Sequence, residues 1–128
     1  MQETLVSFRV AELAKEKGFN VLCNYYYETS RQLICFGGSK QSYTSIDKTL
    51  WSNMYLLAPT QDLLRKWLLE IHNIHITIFS KSQESWMYRI TTKGQSLEEG
   101  LYVEDFYSHD EARDEALFQA LNLLPDKN

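Results

Sequence analysis

Cysteine, proline and glycine are scarce in this chain: two, two and five among 128 residues. Two cysteines, Cys23 and Cys35, cannot build a disulfide framework and cannot alone complete a zinc site. They read as reduced thiols, which fits a cytoplasmic protein. The few glycines and prolines exclude collagen-like and low-complexity architectures. No internal repeat or flexible linker interrupts the chain. No apolar run approaches the length that spans a bilayer, so no membrane role is expected. The start, Met1 to Leu5, lacks the basic patch and apolar stretch of a secretory signal. Basic residues are nearly missing from the last quarter. Residues 1–94 carry 11 basic and 8 acidic side chains (+3), and residues 95–128 carry 2 and 9 (−7).

What is present is an ordinary globular composition, 44% apolar and 23% charged, in a length that fits one domain, residues 1–128. Punctuation is densest in residues 58–124. Thr60 sits as an N-cap before a helical stripe of Leu63, Leu64, Trp67, Leu68 and Ile71. Asp62 suits the positive end of the helix dipole and His72 the negative end. Asn73 tolerates the left-handed conformation that closes a helix. Ile74, Ile76 and Ile78 then alternate with polar neighbours, as do Trp86, Tyr88 and Ile90, giving two half-buried strands with a turn over 81–85. A third strand, 101–107, leads into Ser108 and Glu111, spaced as a capping box. Ala112, Ala116, Leu117, Ala120, Leu121 and Leu124 form one helical stripe before Pro125, with Phe118 off it. The small residues at 112, 116 and 120 predict close approach to a sheet.

Residues 1–57 are less regular. A helix is predicted near 7–17, with Ser7 as N-cap and Val6, Val10, Leu13 and Ala14 on one face. Gly18 stands where a left-handed residue is wanted, and Phe19 follows as the apolar residue that folds back. Tyr25–Tyr27 and Leu33–Phe36 read as a hairpin turning at 28–31. From Ser42 to Leu57 no periodicity emerges, and loop, irregular strand and short helical turn all stay open. The fold class is therefore α+β: a three-stranded antiparallel meander flanked by helices in αβββα order over 58–124. An N-terminal helix and an aromatic-rich hairpin or loop region occupy 1–57.

Few constellations point to chemistry. His72 and His75 have ligand spacing, but Asn73 ends the helix between them, and His109 lies far off; no metal site is expected. Gly37-Gly38-Ser39-Lys40 lacks the phosphate-loop spacing, and no nucleophile elbow occurs. The carboxylate pairs Glu98-Glu99, Glu104-Asp105, Asp110-Glu111 and Asp114-Glu115 read as solvated faces rather than as an acid–base pair with split pKa values. Helix–three strands–helix is also the order of the double-stranded-RNA-binding domain. That module needs a basic start to its last helix, and residues 109–115 offer four carboxylates against Arg113. Nucleic acid is thus disfavoured through the last helix. Arg65, Lys66, Lys81, Arg89 and Lys93 are scattered basic residues elsewhere.

Gly18-Phe19, Ala58-Pro59-Thr60-Gln61, Trp67-Leu68, His72-Asn73-Ile74, Glu111-Ala112, Glu115-Ala116 and Ala120-Leu121 resemble a family of small uncharacterised proteins. That family comes from Bacteroides-type genomes and their phages or mobile elements. The resemblance covers roughly 5–27 and 58–124, leaves 28–57 unmatched, and implies a genomic context without an activity, cofactor or catalytic residue.

The remaining signal is aromatic. Tyr25, Tyr26, Tyr27, Tyr43, Trp51 and Tyr55 gather where periodicity is weakest, and tyrosine and tryptophan favour interfaces. The sequence therefore points to a non-enzymatic protein-binding or adaptor module without catalytic residue, cofactor or metal. Its contact residues are expected at Tyr25, Tyr27, Trp51 and Tyr55, toward a protein partner or a second copy. Two alternatives stand beside it: a nucleic-acid-associated accessory protein of a phage or mobile element, and a small enzyme with its site in 20–57.

Overall fold

The computed structural model describes residues 4–28, 30–35, 40, 55–83, 85–95 and 100–125. Along the chain it runs α1 (Phe8–Glu16), β1 (Tyr25–Glu28), β2 (Leu33–Cys35), β3 (Tyr55–Leu57), α2 (Gln61–His72), β4 (His75–Ser82), β5 (Ser85–Thr91), β6 (Leu101–Phe106) and α3 (His109–Asn122). The fold class is α+β, with two three-stranded antiparallel sheets ordered β2-β1-β3 and β4-β5-β6.

The second sheet is the expected meander. Ile76 pairs with Ile90 and Ile78 with Tyr88, so the apolar positions of β4 and β5 share a face. Val103 and Phe106 extend that face onto β6. The fully buried Ala112, Ala116 and Ala120 let α3 sit close upon it, and Leu117 and Leu121 fill the space beside them. At the start of α3, Trp86 meets His109 edge-on at 5.3 Å. β4 runs on to Ser82, through much of the expected turn. Backbone pairing with β5 continues to Ser82, opposite Ser85, through a register shift between Ser80 and Ser82. In β6 the register with β5 shifts between Trp86 and Tyr88, and Asp105 takes a positive φ of 75° there. Aspartate tolerates that conformation better than most residues. Gly100 is required by close approach: a Cβ there would lie 2.6 Å from the Ile90 carbonyl oxygen.

The helix ends follow their signals. Thr60 Oγ1 accepts from the Leu63 N–H, and Ser108 Oγ accepts from the Glu111 N–H. Asn73 adopts φ 56° and stops α2. Gly18, at φ 92°, closes α1 while the Phe19 N–H donates to Ala14 O and the Gly18 N–H to Lys15 O, the paired bonds of a Schellman ending. Leu64 and Leu68 carry the core contact of α2. Ile71, expected on the same stripe, is 62% exposed, because the stripe runs off the edge of the packed surface in the last turn.

Two features depart from local expectation. Residues 4–6 pair with the approach to α2 through a Leu5–Thr60 bridge, with Val6 N–H donating to Pro59 O and Gln61 N–H to Thr4 O. The N-cap Ser7 makes no side-chain bond within α1. Its N–H and hydroxyl instead donate to the two oxygens of Asp114 on α3, at 2.9 and 2.7 Å. Arg9 pairs with Glu115 and stacks over Phe118 at 4.3 Å. Lys17 Nζ donates to the Leu124 carbonyl at the other end of α3. The expectation of a solvated acidic face is therefore corrected for Asp114 and Glu115, which are half-buried and hold α1 against α3. Asp110 and Glu111 remain exposed.

Candidate functional site

A cleft of 680 Å³ opens where the first sheet meets the start of α2. Separated pieces of chain build it, with Leu5 from the N-terminal run among them. The run into β1 brings Leu22 and Tyr25, β2 brings Leu33, and α2 brings Leu63 and Lys66, with Lys40 at the margin. The backbone sets this meeting. β1 lies between β2 and β3, with Tyr25 opposite Cys35 and Tyr26 opposite Leu57. β3 then delivers the chain to Ala58, whose N–H donates to the Tyr25 carbonyl. The adjacent Leu5–Thr60 bridge fixes the start of α2 beside β1.

The walls are apolar and wet at once. Leu22 is 50% exposed, Leu33 42% and Tyr25 37%. Neighbouring apolar side chains left in water at one place mark a surface suited to contact. Lys40 and Lys66 are exposed. No carboxylate pairs with either among the described residues. Asp62 also lines the cleft, but its charge is engaged. Arg65 chelates Oδ1 through Nε and Nη2 at 3.1 and 2.9 Å, and Arg113 reaches the same oxygen at 2.9 Å. The Arg65 hydrogen bond first, with Arg113 behind it, holds the Asp62 carboxyl below its usual range. The lysines thus leave the cleft net positive.

Cys23 lies in the cleft wall, buried, with its Sγ donating to Val21 O at 3.3 Å. Burial pushes its thiol up to about 12, against a smaller opposing pull from Lys40. A thiol so placed stays protonated at neutral pH and is a poor nucleophile.

Of the four expected contact residues, the structure brings Tyr25 to the cleft. Tyr27 instead supports α1. Its hydroxyl donates to Val6 O at 2.7 Å, and its ring meets Phe8 edge-on at 5.6 Å. Burial, and behind it the nearby Asp114 charge, raises its pKa. Tyr55 begins β3 opposite Glu28. Trp51 lies outside the described residues, as do Tyr43 and the Gly37-Gly38-Ser39 cluster.

The histidines are not gathered. His72 packs against Trp67, His75 is exposed on β4, and His109 sits against Trp86. Among the described residues no three His, Cys, Asp or Glu side chains are placed to hold a metal ion. No helix among them is long and apolar enough to cross a membrane. Of the scattered basic residues, Arg65 is spent on Asp62, Lys66 enters the cleft, and Arg89 lies on the outer face of the second sheet. Sequence reasoning missed Leu22, Leu33, Leu63 and Lys66 as cleft residues. Leu63 read as core stripe, and nothing local says that β2 faces the start of α2. The chain matches no protein-family model, no curated protein and no solved structure.

Proposed function

We propose that this protein is a non-enzymatic binding module that holds a short segment of a partner protein in the cleft beside Tyr25. One observation carries the reading: exposed Leu22, Tyr25 and Leu33 stand beside two lysines that no described carboxylate neutralises. Apolar walls favour leucine-like side chains, and Lys40 with Lys66 favours a carboxylate near them. The occupant is therefore an apolar segment with acidic residues. An adaptor role in the cytoplasm of a Bacteroides-type host or its mobile elements fits this reading.

Selection of random peptides displayed on phage tests it. Recovered peptides should combine leucine or phenylalanine with aspartate or glutamate. Their affinity should fall about tenfold with Lys66→Glu and with Tyr25→Ala, as expected for a charge reversal and a lost aromatic anchor. Failure to recover peptides, or equal binding by both variants, would overturn the reading. Recovery of affinity for single-stranded oligonucleotide instead would favour the nucleic-acid alternative.

A further inference from the structure

Among the described residues, eight large apolar side chains are exposed, and they are not evenly scattered. Leu22, Tyr25 and Leu33 line the cleft. Leu101 and Tyr102 stand on β6, with Tyr107, 83% exposed, just past its end. The other two, Ile71 and Leu123, sit singly at the ends of α2 and α3. The two groups carry opposite charge. Lys40 and Lys66 border the cleft. Exposed Glu104 and Asp105 stand within the β6 group, and residues 95–107 hold four acidic residues and no basic one. Arg89, opposite Tyr102 on β5, offsets part of this charge, but its guanidinium is turned onto the Phe79 and Tyr102 rings.

β6 is built to present these side chains. It lies at the edge of its sheet and pairs with β5 alone among the described residues. Val103 and Phe106 pack against the core, so Leu101, Tyr102, Glu104 and Asp105 are what the strand offers outward. Tyr102 is already held in place. Its ring faces the Arg89 guanidinium carbon at 5.4 Å, and its hydroxyl donates to Met87 Sδ at 3.4 Å. Little further order is lost when such a ring enters a contact. The register shift near Asp105 is a bulge on the β6 side, which disrupts pairing with a further strand. Side chains rather than backbone are therefore what β6 brings to a partner.

We propose that the cleft of one copy receives the outward rim of β6, residues 101–107, from a second copy of this chain. The proposal rests on the reading of the cleft as a segment-binding site, and it names the segment. Residues 101–107 combine leucine, valine, phenylalanine and two tyrosines with Glu104 and Asp105, the apolar and acidic mixture that the cleft favours. Leu101, Tyr102 and Tyr107 meet the walls at Leu22, Tyr25 and Leu33, and the carboxylates face Lys40 and Lys66. β6 belongs to the other sheet and lines no part of the cleft, so the contact joins two molecules. Net charge of −4 opposes association of like copies, but salt screens that repulsion beyond about 8 Å. Residues 1–94 carry +3 and residues 95–128 carry −7, so bringing these two parts together is attractive.

Sedimentation velocity of the full chain, from micromolar to millimolar concentration, tests this. Apparent mass should rise with concentration, to a pair if each cleft takes the other's β6 and beyond a pair if contacts run head to tail. Lys66→Glu disables the cleft, and Glu104→Lys with Asp105→Asn disables β6; asparagine keeps the tolerance for positive φ at 105. Each variant should self-associate about tenfold more weakly than the parent, and added salt should weaken the parent too. The unfolding midpoint confirms that both variants fold. Mixed together, they keep one intact cleft and one intact β6, so the mixture should form a one-to-one pair and grow no further. The proposal is overturned if the parent stays monomeric throughout, if its association survives either variant, or if the mixture associates no more than its separate components. Selected peptides that bind the cleft of a strictly monomeric parent would overturn self-recognition and leave the binding-module reading standing. Loss of peptide binding and self-association alike would remove both.

Discussion

Helices α2 and α3 are capped by residues next to them in sequence, whereas the start of α1 is capped by a carboxylate 107 positions away. In the block 58–124 each helix start has its own hydroxyl, and each apolar stripe finds the sheet that follows or precedes it. In residues 4–28 the decisive bonds are remote: Ser7 to Asp114, Val6 to Pro59, and Lys17 to Leu124. The block can organise from local signals. The N-terminal part needs the block in place before its own helix start is satisfied. The cleft lies on the seam between the two, and this is why its walls come from separated segments.

The largest expected effect removes the floor of the block. Leu117 is fully buried, and Leu117→Ala should cost about 3 kcal/mol through lost transfer energy and the cavity left behind. Urea unfolding followed by far-UV circular dichroism would measure it. A loss below about 1 kcal/mol would mean that α3 does not carry the core.

Next comes the seam. Asp114→Ala leaves both Ser7 donors without their partner and should cost about 2 kcal/mol. Ser7→Ala alone should cost less, and the double variant should show a coupling of about 1 kcal/mol. Additive losses would break the comparison, since α1 would then not depend on the remote carboxylate. By contrast, Thr60→Ala removes a local cap at about 1 kcal/mol and should show no coupling to Ser7→Ala.

A smaller effect is set by pH. Burial works against the Glu115 charge, but hydrogen bonds from Arg9 and Gln119 and the Arg9 charge outweigh it, so the carboxyl stays below its usual range. A group whose folded pKa is depressed contributes stability above its unfolded value, about 4.3, and loses it as pH falls through the folded value. Glu115→Gln should therefore lower stability modestly at neutral pH, flatten the acid limb of the stability curve below about pH 4.5, and converge with the parent chain at lower pH. An unaltered acid limb would remove Glu115 from the seam. The smallest expected change is at the cleft itself. Tyr25→Ala and Lys66→Glu should shift stability by no more than about 0.5 kcal/mol, as for other surface positions.

How much of this was legible follows from the same contrast. Thr60, Asn73, Ser108 and the pair Gly18-Phe19 could be read because each acts on backbone within a few residues. The alanines of α3 could be read because their spacing repeats. Strand β3 could not: Tyr55–Leu57 is three residues long and gains its partner only from β1. Asp114 looked like one more surface acid, since nothing around it names Ser7. Ile71 looked buried because periodicity continues past the end of the surface that α2 covers. The expected contact residues shared one composition but not one location. Tyr25 reached the cleft, while Tyr27 became a brace for α1.

The most direct test of the cleft is amide hydrogen exchange with and without a peptide recovered by selection. If the cleft holds the partner segment, added protection should appear at residues 22–25, at Leu33 and through the first turn of α2. Protection confined to β4–β5–β6, or none anywhere at saturating peptide, would contradict the account.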